Sequence, residues 1–176
     1  HDLPLQLAGE AAPGKTSRVL SVRQEREEFV FVNVKSRPVP SLLRDFSAPV
    51  ILRYEYTENE LAHLMANDAD PFNRWEAAQR LCLEVAVTAL QQSQTPDLGT
   101  DLIQALRDVL RHPTLDAAFK ELVLTLPSEN YIAEQLSEVD PQRIHEVREA
   151  MRAQLAQALH DDWAWAYETH QHNGAY

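Results

Sequence analysis

Apolar and polar residues alternate in the first third of the chain, then give way to a three- and four-residue spacing. Leu3–Leu7 reads Leu-Pro-Leu-Gln-Leu, Arg18–Val22 reads Arg-Val-Leu-Ser-Val, and Glu28–Val34 reads Glu-Phe-Val-Phe-Val-Asn-Val. Pro49–Tyr56 sets Val50, Leu52, Tyr54 and Tyr56 on one face. Period-two patterning with β-branched and aromatic residues predicts four strands. Gly9–Thr16, with Gly9, Pro13 and Gly14, has a turn composition. Ser36–Ala48 is kept extended by Pro38 and Pro40. It is too long for a hairpin loop and is expected to cross between sheet layers or edges. Four strands fall short of the roughly seven of an independent sandwich, so further strands are expected upstream.

After Tyr56 the pattern is helical. Thr57-Glu58-Asn59-Glu60 is a capping box, in which Thr57 caps free amides and Glu60 reaches back. Leu61, Leu64 and Met65 form the apolar face behind it. Asp70-Pro71 combines an N-cap with proline at the first helical position. Phe72, Trp75, Ala78, Leu81, Cys82, Val85 and Ala86 follow at helical spacing, with an end expected near Gln92, before Pro96. Thr100 is expected to open a helix with Leu102, Ile103, Leu106, Val109 and Leu110 inward. Thr114 is expected to open another with Leu115, Ala118, Phe119 and Leu122 inward. Ser128 opens a short segment through Leu136. Asp140-Pro141 opens a long one with Ile144, Val147, Met151, Leu155, Leu159 and Trp163 inward. Short links imply antiparallel neighbours, and no strict tetratricopeptide or ankyrin period is present. The expected fold is α+β: a partial β-sandwich module over 1–56, then an irregular array of antiparallel α-helical hairpins over 57–176.

Composition narrows the function. The chain has 176 residues, is 44% hydrophobic and carries a formal charge of −11. Phosphate binding needs concentrated basic residues, and Arg23 and Arg26 are separated and followed by Glu27 and Glu28, so nucleic acid is not an expected partner. Apolar runs such as Val85–Val87 are too short to span a bilayer, so no membrane association is expected. Cys82 is the single cysteine, which rules out an intrachain disulfide and demands no oxidising compartment. It reads as a core residue, because a catalytic thiol needs a histidine and an electropositive setting. His1 begins the chain without a signal-like segment, and Glu168–Tyr176 ends it abruptly. Both ends read as cuts in a longer protein.

The candidate chemistry is sparse. His145-Glu146-Val147-Arg148-Glu149 approaches the H-E-x-x-H zinc motif, but Glu149 stands where the second histidine belongs. A solvated helix face is the simpler reading. His170 and His172 could hold a metal only weakly, and exposure near a loose terminus is the simpler reading. Asp161 and Asp162 do not face one another on a helix and read as surface charge. Trp163 fits the core stripe, and Trp165 is expected to pack against helices outside this chain. No Gly-rich phosphate loop or G-x-S-x-G elbow occurs, and the chain has only four glycines. No catalytic, cofactor-binding or metal-binding residue is assigned, and no cofactor is expected in this segment.

Three stretches carry a resemblance. Ser36–Val50 resembles the approach to the join between the third and fourth domains of the bacterial aminopeptidase N family. Asn67-Asp68-Ala69-Asp70-Pro71-Phe72-Asn73-Arg74-Trp75-Glu76-Ala77-Ala78-Gln79 is a second match. Leu124–Glu129, with Asp140-Pro141 and Ile144–Arg148, is a third. Helix physics alone does not dictate a Phe-x-Arg-Trp-x-Ala-x-Gln run. The likeness covers nearly the whole chain and is weakest before Ser21 and after Trp163. It implies a segment of a zinc metallo-exopeptidase that removes N-terminal residues from peptides. The zinc ligands and catalytic Glu of that family lie in an earlier, separate domain, so no catalytic residue carries over. The segment implied is the small β-sandwich domain and the start of a helical domain that encloses the active-site cavity.

Two functions follow. In the first, the chain is the architectural part of a bacterial, cytoplasmic aminopeptidase N, with Arg74 and Trp75 as packing residues. Its partners are then the catalytic domain of the same chain, the parent's peptide substrates and, through exposed apolar helices, further copies of itself. In the second, it is a freestanding helical module that binds peptides or proteins. An H-E-x-x-H motif well upstream of His1 separates the first from the second.

Overall fold

The computed structural model describes residues 2–171, apart from the Phe46 side chain. It divides between Val50 and Ile51 into two compact units.

In the first unit the backbone around Leu5–Ala8 is bonded on both sides. Leu5 N–H donates to Lys15 O at 3.0 Å and Gly14 N–H to Leu5 O at 2.7 Å. On the other side Ala8 N–H donates to Val30 O and Val32 N–H to Gln6 O, each at 2.9 Å. Among the described residues these bonds make a single antiparallel bridge, Leu7 with Phe31. The four expected strands therefore do not assemble into a sheet among the described residues. Asn33 stops the pairing by taking a left-handed φ of 62°, which Asn tolerates better than most residues. Its Nδ2 donates to Gln6 Oε1 at 2.7 Å. The apolar positions that a second layer would cover stay open: Val19 is 84% exposed and Val22 69%. Among the described residues Arg18–Val22 pairs with no other backbone segment, and the Arg18 side chain meets Glu10 at 2.6 Å.

The second unit holds seven α-helices among the described residues: α1 (Glu58–Asn67), α2 (Pro71–Gln91), α3 (Gly99–Arg111), α4 (Ala117–Leu124), α5 (Glu129–Ala133), α6 (Pro141–Ala158) and α7 (His160–Thr169). Ahead of them Leu52, Tyr54 and Tyr56 are half-buried while Ile51, Arg53 and Glu55 face solvent. The alternation is the expected one from Leu52 onward, but Val50 of the same expected face is 60% exposed and no strand forms there. The capping box at Thr57 and Glu60 is present on both sides. Asp70, Ser128 and Asp140 each accept an amide at the first turn of their helices.

α2 is the centre of this unit and packs against α1, α4, α5 and α6. Its inner face is rich in small residues, with Ala77, Ala78, Ala86 and Ala89 at most 4% exposed, which lets neighbouring helices approach closely. Arg74 on α2 is 6% exposed. Its Nε and Nη2 donate to the carbonyls of Met65 and Ala66 at 2.9 and 3.3 Å, closing the C-terminus of α1. Trp75 is half-buried and its ring lies 5.6 Å from that of Phe72. Gln79 Nε2 reaches across to Thr125 O at 2.8 Å.

Four helical boundaries differ from expectation. α5 ends at Ala133 rather than Leu136. α3 begins at Gly99 rather than Thr100, because the Asp97 carboxylate takes the Gly99 amide at 2.9 Å. α4 begins after Asp116, not at Thr114, because Asp116 Oδ1 accepts from Ala118 and Phe119 at 2.9 and 3.3 Å. Its inward face shifts accordingly: Lys120 and Val123 are buried, while Ala118 and Leu122 are exposed. The long last helix is broken at Leu159 (φ −109°, ψ 19°) into α6 and α7. Leu159 itself is fully buried, but Trp163 is 36% exposed rather than in the core.

Candidate functional site

The sequence candidates scatter. His145 projects from α6 with its side chain 60% exposed, and its Nδ1 lies 2.8 Å from Glu129 Oε1 on α5. Glu146 accepts from Gln142 and Arg143 at 3.2 and 3.3 Å. Glu149 faces Arg152 at 3.4 Å and Arg148 at 3.8 Å. The positions of the near-motif thus serve surface pairing along α6 and to α5. Among the described residues no group of three or more His, Cys, Asp or Glu side chains is placed to hold a metal ion. His170 is exposed and stands edge-on to Trp165 at 6.4 Å; His172 lies outside the described residues.

The His145–Glu129 pair has a pH consequence. The hydrogen bond that the protonated ring gives to Glu129, and then the charge of Glu129, push the His145 pKa above the ordinary 6.5. A raised folded-state pKa contributes stability below the unfolded value and loses it as pH rises through the folded one. The His145 titration midpoint measured by NMR is expected above 6.5, and Glu129→Gln is expected to bring it down. A midpoint unchanged by that substitution contradicts the pairing.

Cys82 lies on α2, 3% exposed. Burial pushes its thiol up to about 12, so it stays protonated and non-nucleophilic at neutral pH. Asp161 and Asp162 prove unlike. Asp161 is fully out in solvent beside His160 at 3.0 Å. Asp162 is 8% exposed and receives Arg107 Nε at 2.9 Å and Arg111 Nε at 2.7 Å. It is therefore a structural carboxylate rather than surface charge. Arg107 Nη2 also donates to Ala158 O at 3.0 Å, and the Arg111 guanidinium lies 4.2 Å above the Trp165 ring. This cluster fixes α7 against α3. It was invisible in the sequence because its members lie some 50 residues apart.

A cleft of about 430 Å³ lies between the N-terminus of α1, the C-terminal half of α2 and the segment leading into α3. Leu81, Val85 and Leu98 give it apolar walls, while Glu58, Glu84 and Asp101 supply carboxylates. Burial first, then the charge of Glu58, pushes the Glu84 carboxyl up, against the opposing effect of Arg80. α6 holds the segment in place. Arg143 Nη2 donates to Gln94 O at 2.8 Å, while Gln154 donates to Pro96 O at 2.5 Å and accepts from Leu98 N–H at 3.2 Å. The lining contains no His, Cys or Lys.

Packed helices around a central helix define the class of this unit as an α-helical array. Residues 58–176 match the family described as a domain of unknown function with ARM repeats, DUF3458_C. The chain belongs to this family. Residues 2–55 match the companion domain of unknown function described as having an Ig-like fold, DUF3458. Its relatives are bacterial aminopeptidase N proteins. The Escherichia coli K12 protein is 40% identical over 163 residues, covering 91% of this chain. The Haemophilus influenzae protein is 39% identical over 154 residues, covering 86%. The chain spans about 18% of the length of these curated relatives. Among solved structures, it is similar to Legionella pneumophila aminopeptidase A in complex with aspartic acid. The TM-score there is 0.69 and the identity 26%, over 85% of this chain and 19% of that one.

Proposed function

We propose that this chain is a non-catalytic segment of a bacterial zinc-dependent aminopeptidase N that removes N-terminal residues from peptides. Its role is architectural: residues 1–56 belong to the small β-sandwich domain, and 57–176 begin the helical domain that walls the active-site cavity. The observation that carries this reading is the collinear 40% identity over 91% of the chain, matched to only 18% of the relative. The β-sandwich assignment rests on the Ig-like match over residues 2–55 and the pairing around Leu7 and Phe31. Among the described residues no donor set fits a zinc ion, since His145 and Glu129 form an exposed pair without a third ligand. In this reading zinc and its ligands belong to another part of the parent protein, whose compartment is the bacterial cytoplasm. No helix among the described residues is long and apolar enough to cross a membrane. Exposed apolar residues such as Leu122, Val139 and Tyr167 are the surface through which the chain would meet the rest of its parent or another copy.

The test is enzymatic. Supplied with zinc, the chain is expected to release no product from aminoacyl reporter substrates. Zinc-dependent turnover that disappears in His145→Ala would overturn the assignment.

A further inference from the structure

α7 is joined to the helical unit in a different way from α6. Four apolar residues of α6, Ile144, Val147, Met151 and Leu155, are buried, and Leu159 continues their stripe at the joint. Among the described residues of α7 the buried one is a carboxylate, Asp162. The apolar side chains of α7 lie further out. Trp163 is 36% exposed and Tyr167 72%, and Trp165 is half-buried. Apolar burial is what usually holds a helix to its neighbours, and α7 has little of it.

The contacts that do hold α7 are polar and converge on α3. Arg107 Nε and Arg111 Nε each donate to one oxygen of Asp162, at 2.9 and 2.7 Å. Arg107 Nη2 also donates to Ala158 O at 3.0 Å, at the very end of α6. The Arg111 guanidinium covers the Trp165 ring at 4.2 Å. Both arginine side chains are about a third exposed. Water can therefore take over these bonds on release, which it cannot do for an apolar core. The backbone at Leu159 (φ −109°, ψ 19°) interrupts the helix, and the first turn of α7 has no side-chain cap. Leu159 itself is fully buried and stays anchored in the core. A break anchored on one side, with replaceable polar contacts on the other, has the parts of a hinge and its latch.

We propose that α7 is a latched arm: it swings out about Leu159 as a unit and re-seats while α1–α6 keep their fold, and the Asp162–Arg107–Arg111 cluster is the latch. A ten-residue helix is marginal alone in water. The released arm therefore loses its helical hydrogen bonds, among them that from Trp163 N–H to Leu159 O at 2.8 Å. The inference rests on contacts within this chain and is independent of the aminopeptidase reading.

The experiment is native-state amide hydrogen exchange of the full 176-residue chain, followed residue by residue by NMR. In the unaltered chain the amides from Trp163 to Thr169 are expected to share one opening equilibrium. They are expected to exchange faster than the slowest amides of α2 by about tenfold or more. Simple fraying would instead give an opening that grows from Trp163 toward Thr169. Leu61→Ala removes a buried side chain of α1, and Leu61→Val replaces it where the larger cavity prevents folding. Either is expected to speed the slowest α2 amides and to leave the α7 opening unchanged, because that opening keeps the core intact. Asp162→Asn preserves the size of the side chain and removes its charge; it is expected to raise the α7 opening by about tenfold or more. Should that chain fail to fold, Arg107→Gln tests the latch from α3 with the same expectation. An opening graded along α7, equal acceleration of α7 and α2 by the Leu61 substitution, or an unchanged α7 opening in a folded latch variant overturns the proposal.

Discussion

Leu159→Ala is expected to lower stability by about 3 kcal/mol, within the range for large-to-small changes at fully buried sites. Leu159 is fully buried, ends the inward stripe of α6 and sits at the break before α7. Alanine there leaves a void that the surroundings fill only in part, because both helices are anchored on either side of it. Upstream, the α6 residues Arg143 and Gln154 are bonded to the 94–98 segment. Downstream, Asp162 is held by α3. Thermal unfolding followed by circular dichroism is expected to show a midpoint lower by about 10 °C. A change within about 2 °C would mean that α7 folds independently of the rest.

Asp162→Ala is the second large effect, at about 2 kcal/mol. The substitution leaves Arg107 and Arg111 facing each other without their shared carboxylate. Because the two arginine side chains are about a third exposed, water offsets part of the loss, which keeps the figure below that for a fully buried pair. Burial raises the Asp162 pKa, but the hydrogen bonds and charges of Arg107 and Arg111 outweigh it, so the carboxyl titrates below its ordinary 3.8. A depressed folded-state pKa gives stability that is present above the unfolded value and lost as pH falls through the folded one. Urea unfolding is expected to show the full gap between the two proteins at neutral pH and a shrinking gap below about pH 4. A gap that persists unchanged into acid would assign the effect to packing instead of charge.

The parts of the fold legible in the sequence are those set by neighbours. Thr57, Asp70, Ser128 and Asp140 each accept an amide three residues ahead, so the signal and its partner lie in one short window. At α4 two such signals competed. Thr114 and Asp116 both suit a cap, and the carboxylate took the position. The inward positions fall one residue later than expected, a turn of about 100°, so Leu122 faces out and Lys120 faces in. The break at Leu159 has no proline or glycine to announce it, and the arginines that hold α7 lie far back in α3. The strands suffered most, because pairing depends on distant partners: the pattern around Leu7 and Phe31 marks extended chain without saying what covers it. As for sites, the near-motif at His145 was visible and proved to be a surface pair. The burial of Lys120 carried no local mark, because it depends on how α4 packs on α2 and α3.

The bonds from α6 and α7 back to earlier segments bear on how this unit comes apart. An ideal solenoid contacts only adjacent repeats, so it can fray from one end and fold from any point. Here Gln154 bonds to residues 56 and 58 positions earlier, and Asp162 bonds to an arginine 55 positions earlier. Loops of that length must close before these bonds form. Assembly is therefore expected to wait on the C-terminal helices, and cutting the chain in the 134–140 link, between α5 and α6, should loosen the 94–98 segment along with everything that follows the cut.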